Sequence, residues 1–167
     1  GFSINIDKTS CTNCVGGQYQ DDKDQTGCKF CVIGRYQNEK NQTKCKFCTN
    51  GQYQNEKNQT KCKFCTNGKY QNENTQKECK SDCNEGFFIN KDLTSCDSCV
   101  LGQYQDQRDQ SSCKGCKPGS FINKAKTSCD SCAPGHYQDQ SDQSSCTSCT
   151  KGRYQNENDQ TICKGCS

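Results

Sequence analysis

The chain has 167 residues and a formal charge of +3, and 20 of its residues are Cys. Its hydrophobic fraction of 28% counts those cysteines; without them 27 apolar side chains remain, with no Met and no Trp. That is too little to close the core of an α/β enzyme or a helical bundle, whereas cysteine above roughly 8–10% marks a disulfide scaffold.

Charge of both signs is spread along the chain and gives no ground for a nucleic-acid partner. No apolar run approaches the roughly 20 residues of a spanning helix, so this segment is read as having no membrane span. The first residue is Gly1 rather than Met, which is read as a mature or partial chain whose targeting signal lies outside it.

The chain is periodic from end to end. Paired cysteines begin at 11, 28, 45, 62, 79, 96, 113, 129, 146 and 163, in steps of 17 with a single step of 16. Each pair is C-x-x-C except Cys79 and Cys83, which three residues separate. Residues 1–13 form a partial repeat in which Ser3 of Gly1-Phe2-Ser3-Ile4-Asn5 stands where other copies carry an aromatic ring. Four repeats follow, at 14–30, 31–47, 48–64 and 65–82, each with a G-x-Y-Q segment. The repeat 83–98 is of a shorter kind, G-x-F-I-N-K, which recurs at 116–131 on either side of a long repeat at 99–115. Long repeats at 132–148 and 149–165 complete the series, and 166–167 reads as the start of another. No linker interrupts it, so 1–167 is one continuous array.

Local structure follows from the residue types. Pro118-Gly119 and Pro134-Gly135 suit a type II turn, with proline second and a positive-φ glycine third. Asn50-Gly51 and Asn67-Gly68 fill the same slot. After the turn comes a short extended Tyr-Gln or Phe-Ile segment, then a polar return to the next cysteine. Helical periodicity is absent. The expected fold is therefore a small disulfide-rich repeat protein, an elongated rod of loops with short β-hairpins and little or no helix.

Three uses of the cysteines are open. Pairing within each C-x-x-C would give redox-type bridges. Zinc bound between successive pairs would match known spacings, although nothing groups the pairs two by two. The favoured use joins the second cysteine of one pair to the first of the next: Cys14–Cys28, Cys31–Cys45, Cys48–Cys62, Cys65–Cys79, Cys83–Cys96, Cys99–Cys113, Cys116–Cys129, Cys132–Cys146 and Cys149–Cys163. Each such ring closes a loop of about 15 residues, worth on the order of 3 kcal/mol by loop entropy. Cys11 and Cys166 remain over. They are expected to pair externally, with further copies of the chain or with a longer repeat chain, head to tail.

Little catalytic chemistry is available. His136, the one histidine, sits in a slot filled elsewhere by Gln, Arg, Lys or Ser and reads as a surface residue. Asp21-Asp22-Lys23-Asp24 lacks the spacing of a calcium loop and reads as a solvated tip. No catalytic residue, metal ligand or cofactor site is expected. Asn41 and Asn58 begin N-x-[ST] triplets and are candidate N-glycosylation sites. Glutamines in register at 20, 37, 54, 71, 105, 138 and 155, and again at 25, 42, 59, 76, 110, 143 and 160, suit either amide ladders between stacked repeats or plain solvation. Phe30, Phe47 and Phe64 lie in C-K-F-C links and either cover disulfides or form a sticky stripe.

The segment Cys132-Ala133-Pro134-Gly135-His136-Tyr137, with Cys146-Thr147-Ser148-Cys149 after it, resembles the ephrin-receptor-like cysteine-rich repeat, C-x-x-G-x-Y…C-x-x-C. That repeat is related to the first module of tumour-necrosis-factor-receptor-type cysteine-rich domains. The resemblance covers nearly the whole chain. It implies the ring pairing above and an extracellular or cell-surface location, and long tandem arrays of this kind look most like surface proteins of microbial eukaryotes. The function expected is an extracellular structural rod, stalk or filament. The alternative is a receptor or adhesion ectodomain, with the region around Cys79–Cys83 and Phe87-Phe88 as its candidate contact.

Overall fold

A computed structural model describes residues 1–166. Among them there is no helix, and the regular structure consists of nine two-stranded antiparallel hairpins. In chain order the strands are β1 (Phe2–Ile4), β2 (Cys11–Asn13), β3 (Gln18–Tyr19), β4 (Lys29–Phe30), β5 (Arg35–Tyr36), β6 (Lys46–Phe47), β7 (Gln52–Tyr53) and β8 (Lys63–Phe64). After the isolated bridge Tyr70–Lys80 come β9 (Phe87–Ile89), β10 (Cys96–Ser98), β11 (Gln103–Tyr104), β12 (Lys114–Gly115), β13 (Ser120–Ile122), β14 (Cys129–Ser131), β15 (His136–Tyr137), β16 (Thr147–Ser148), β17 (Arg153–Tyr154) and β18 (Lys164–Gly165). Each strand pairs with its sequence neighbour only, as β1 with β2 and β3 with β4.

The chain divides into two compact units. The first is Gly1–Ser81 with Asp92–Ser95, and the second is Asp82–Lys91 with Cys96–Ser167.

Turn chemistry sets the hairpins. Gly119 has a φ of +88° and Gly135 one of +83°. The bonds Ser120 N–H to Lys117 O (3.2 Å) and His136 N–H to Ala133 O (3.0 Å) close four-residue turns with the prolines second. The far tip of each loop also enters the left-handed region, at Asp24, Asn41, Asn58, Asp109, Asp142 and Asp159 with φ between +57° and +60°, and at Lys8, Thr75, Leu93 and Lys126 with φ between +59° and +64°. Asn and Asp are the non-glycine residues that best tolerate this region. Two tight turns per repeat leave only two or three residues for each strand.

Within the first unit, successive repeats are joined by main chain. Gly17 N–H donates to Gln37 O (2.7 Å), Gln37 N–H to Gln59 O (3.0 Å), and Asn58 N–H to Cys31 O (2.9 Å). The second unit repeats the pattern: Gly119 N–H to Gln138 O (2.7 Å), Gln138 N–H to Gln160 O (3.0 Å), and Asp142 N–H to Cys116 O (2.9 Å). The contact reaches one repeat further. A Cβ on Gly34 would overlap the carbonyl of Thr75, and one on Gly119 the carbonyl of Asp159, each two repeats on.

Cystine sulfur and a few polar side chains fill the interior. Cys14, Cys31, Cys48, Cys83, Cys99 and Cys132 are fully buried, with Ile89 and four glutamines, Gln37, Gln54, Gln71 and Gln105, almost as deep. These glutamines form neither a side-chain ladder nor a solvated face. Gln37 Nε2 donates to Lys44 O (2.7 Å) and its Oε1 accepts from Glu39 N–H (3.0 Å), tying the loop across itself. Gln54 does the same with Lys61 O and Glu56 N–H. A buried amide needs these partners, because leaving one unpaired costs about 1–3 kcal/mol. Ladder bonds between repeats come instead from the glutamine main chain.

In the short repeats the loop has one residue fewer, and an apolar side chain replaces the clamp. Ile89 and Ile122 take the glutamine slot and are buried. The next residue then braces the loop, as Asn123 Nδ2 bonds Thr127 Oγ1 (3.1 Å) and Ser128 Oγ (2.9 Å).

Candidate functional site

Nine disulfides close the loops. Seven join cysteines 14 residues apart, namely Cys14–Cys28, Cys31–Cys45, Cys48–Cys62, Cys65–Cys79, Cys99–Cys113, Cys132–Cys146 and Cys149–Cys163. Cys83–Cys96 and Cys116–Cys129 span 13. Cα separations lie between 5.6 and 5.9 Å, inside the normal range for a bridge. The opening cysteine of seven of the rings is held by the turn glycine before it, as Cys31 N–H donates to Gly17 O (2.8 Å) and Cys48 N–H to Gly34 O (3.0 Å), whereas Cys83 N–H donates to Asp109 Oδ1 (2.9 Å).

Cys11 and Cys166 are exposed free thiols. Cys11 lies opposite Ile4 in its hairpin, as the bridged Cys96 lies opposite Ile89 and Cys129 opposite Ile122. Cys166 N–H donates to Gly152 O (3.1 Å), the same bond that ring-opening cysteines such as Cys31, Cys48, Cys132 and Cys149 make. Ser167 lies outside the described residues. Among those described, no group of three or more His, Cys, Asp or Glu side chains could hold a metal ion, and no helix is long and apolar enough to cross a membrane.

Asn41 and Asn58 both stand at loop tips with φ of +60°. Asn58 is exposed and Asn41 half-buried, and the hydroxyl-bearing Thr43 and Thr60 of their triplets are exposed. The Asn41 Oδ1 atom is buried without a hydrogen-bond partner, while Asn58 Oδ1 faces Gly17, two repeats earlier. His136 is half-buried in β15, its Nδ1 3.3 Å from Pro134 O. Asp21 and Asp22 are exposed and both accept from Lys29 Nζ, at 2.5 and 2.7 Å. That hydrogen bond holds the Asp21 carboxyl below its ordinary value and pushes Lys29 up.

The three phenylalanines of the C-K-F-C links point to solvent: Phe30 is 54% exposed, Phe47 53% and Phe64 71%. The Arg35 guanidinium covers the Phe47 ring at 4.5 Å. Shallow grooves lie between consecutive repeats, a feature the one-dimensional pattern does not reveal, because each groove is lined from two or three repeats. One of about 400 Å3 in the first unit is lined by Ile33, Tyr53, Asn55, Phe64, Lys69, Lys77 and Glu78. Its counterpart nearer the N-terminus has Tyr19, Asp21, Arg35, Thr43 and Lys44. In the second unit Tyr137, Asp139 and Arg153 line a similar groove of about 360 Å3.

Residues 86–121 and 119–151 match the family described as tyrosine-protein kinase ephrin type A/B receptor-like. No curated protein matches the chain. No catalytic family is indicated by this match, and repeats of the matching family are typically extracellular. Nine disulfides likewise suggest an oxidising compartment. The matched residues contain the same unit as the rest of the array: a glycine turn, a two-stranded hairpin and one ring-closing disulfide. Residues 86–151 are thus similar to ephrin-receptor-like cysteine-rich repeats, and the described residues form a tandem array of disulfide-closed units of one kind.

Proposed function

We propose that the chain is part of an extracellular structural protein of the cell surface, a rod, stalk or filament whose reach is set by the number of repeats. The observation that carries this reading is the main-chain ladder. Gly17 to Gln37, Gly34 to Gln54 and Gly51 to Gln71 are the same bond made three times, and no side-chain identity enters it beyond the glycine. Any repeat can therefore follow any other, as in quasi-one-dimensional repeat proteins. One disulfide per repeat supplies the order that the sparse apolar content cannot.

The partners in this reading are further repeats, in a longer chain or in a second copy, joined head to tail through Cys11 and Cys166. Both thiols occupy slots that are bridged in the other repeats. N-linked glycans at Asn41 and Asn58 belong to the same reading, since both asparagines lie at loop tips beside exposed threonines. No cofactor takes part.

Electron microscopy of native material, combined with disulfide mapping by mass spectrometry, tests the proposal. Elongated particles or polymers are expected, with Cys11 and Cys166 bridged to cysteines of a neighbouring copy or of flanking repeats. A mass loss on treatment with a peptide N-glycosidase is expected at both sequons. An internal Cys11–Cys166 bridge would overturn the head-to-tail arrangement. Short isolated particles carrying a bound protein or glycan would favour the receptor or adhesion reading instead.

A further inference from the structure

Charge is unevenly distributed in a way that coincides with the exposed rings. Residues 28–81 contain eleven Lys and Arg against four Glu, a net of +7, while the rest of the chain has eleven against fifteen acids, a net of −4. Phe30, Phe47 and Phe64 fall in this basic stretch. At the corresponding link positions of the second unit stand Ser98, Gly115, Ser131, Ser148 and Gly165. Four of the basic residues, Lys29, Lys46, Lys63 and Lys80, are engaged by Asp or Glu. Lys44, Lys69 and Lys77 instead line the inter-repeat grooves, beside the rings of Tyr19, Tyr53 and Phe64.

We propose that residues 28–81, with Tyr19 and Asp21 beside them, form a binding face for an acidic polysaccharide, a chain of sugar rings bearing carboxylate or sulfate groups. Lysines in the grooves pair with the acidic groups. The Tyr and Phe rings present flat apolar faces to the C–H faces of the sugars, and the link ring recurs once in each of three successive repeats, at Phe30, Phe47 and Phe64. Asn55, Thr66, Asp21 and Glu78 line the same grooves and exchange hydrogen bonds with sugar hydroxyls.

Those acceptors argue against the other polyanions. A carboxylate in the groove repels a densely charged phosphate backbone but accepts from a hydroxyl. An anionic membrane surface would call for a contiguous apolar patch, whereas these rings are set one per repeat with a lysine before each. The proposal is independent of whether the array forms a filament.

The test uses the full oxidised chain and three immobilised polymers: polygalacturonate, dextran sulfate and uncharged dextran. Retention is expected on one or both acidic polymers at low salt, declining as salt screens the lysines, with none on dextran. Phe30→Ser, Phe47→Ser and Phe64→Ser together install the residue found at three equivalent links of the second unit. They are expected to weaken binding by about tenfold or more, as removal of three ring faces would. Lys44→Gln, Lys69→Gln and Lys77→Gln should weaken it and flatten the salt dependence. An unchanged set of disulfides and unchanged protease resistance would show that each variant is folded. Three results would each overturn the proposal: no retention of the wild-type chain, serine variants that bind as tightly as it does, or tighter binding to single-stranded DNA or anionic vesicles than to either polysaccharide.

Discussion

Gly17 lies against Asn58, the loop-tip residue two repeats further along, so closely that a Cβ on the glycine would overlap both the Asn58 carbonyl and its Oδ1. Gly17 also has a φ of +83°. The glycine is therefore required twice, once by its own turn and once by a neighbour that is not adjacent in the array. Coupling across two repeats makes each unit more cooperative than nearest-neighbour stacking alone would.

Three glycine-to-alanine variants separate these requirements. Gly152 has a φ of +79° but open space around it, and Gly27 has neither a positive φ nor a neighbour. Gly27→Ala is expected to be neutral within about 0.5 kcal/mol. Gly152→Ala should cost about 1–2 kcal/mol from backbone strain alone. Gly17→Ala should exceed both, since the main chain of Asn58 must also shift. Denaturant midpoints under non-reducing conditions would rank the three, and a Gly17→Ala no worse than Gly152→Ala would remove the second-neighbour contact from the account.

The buried glutamines offer a second comparison. Gln37→Ala removes the partner of Glu39 N–H and of Lys44 O, and a loss of about 1–3 kcal/mol is expected. Gln42 is half-buried, and its side chain bonds only Lys40 O among the contacts described, at 3.1 Å. Gln42→Ala is expected to fall within about 0.5 kcal/mol of wild type. Hydrogen exchange at Glu39 would report the opened clamp directly.

Removing one ring should act locally. Replacing Cys48 and Cys62 together by Ala is expected to cost about 3 kcal/mol and to create a protease-sensitive loop between 48 and 62. Full reduction should abolish the ordered circular-dichroism signal, while a chelator leaves it unchanged. Loss of structure on chelation of the oxidised chain would refute the disulfide architecture.

Acid and alkali should matter little between their extremes. The hydrogen bond from Lys29 lowers the Asp21 carboxyl, and that from Lys114 lowers Asp106. A lowered carboxyl adds stability above its unfolded value near 4, and that stability is lost as the pH falls through the folded value. The same bonds raise Lys29 and Lys114, adding stability below about 10.5 that disappears as the pH rises through the folded value. All four groups are exposed, so solvent and salt keep the effect small. Thermal unfolding should be flat over roughly pH 5–9 with a shallow decline below about pH 4, and Asp21→Asn should reduce that decline.

Much of this fold is legible in one dimension because each repeat is local. The positions of Gly119 and Gly135 after proline announce their turns, and the 17-residue period announces that the same hairpin recurs. The cysteine spacing left disulfide rings, C-x-x-C bridges and zinc all open. Gln37 illustrates what is not legible. Its register suggested a ladder or a solvated face, but its burial depends on how the loop folds back over it, which no pattern of residue types records. Phe30, Phe47 and Phe64 carried two readings for the same reason, and only the solvent-facing side of the short strands exposes their rings.

By itself the sequence determined the repeat, its turn glycines and the absence of an apolar core, since these follow from composition and from conformational limits on single residues. Only the tertiary structure decided that Asn58 rests on Gly17, that glutamine amides clamp their own loops while their main chains bond the next repeat, and that lysines and rings from different repeats line one groove. The physical reason is distance along the chain. The glycine-to-glutamine bonds and the contact of Asn58 with Gly17 join residues 19 to 41 positions apart, and they exist only once the hairpins have stacked.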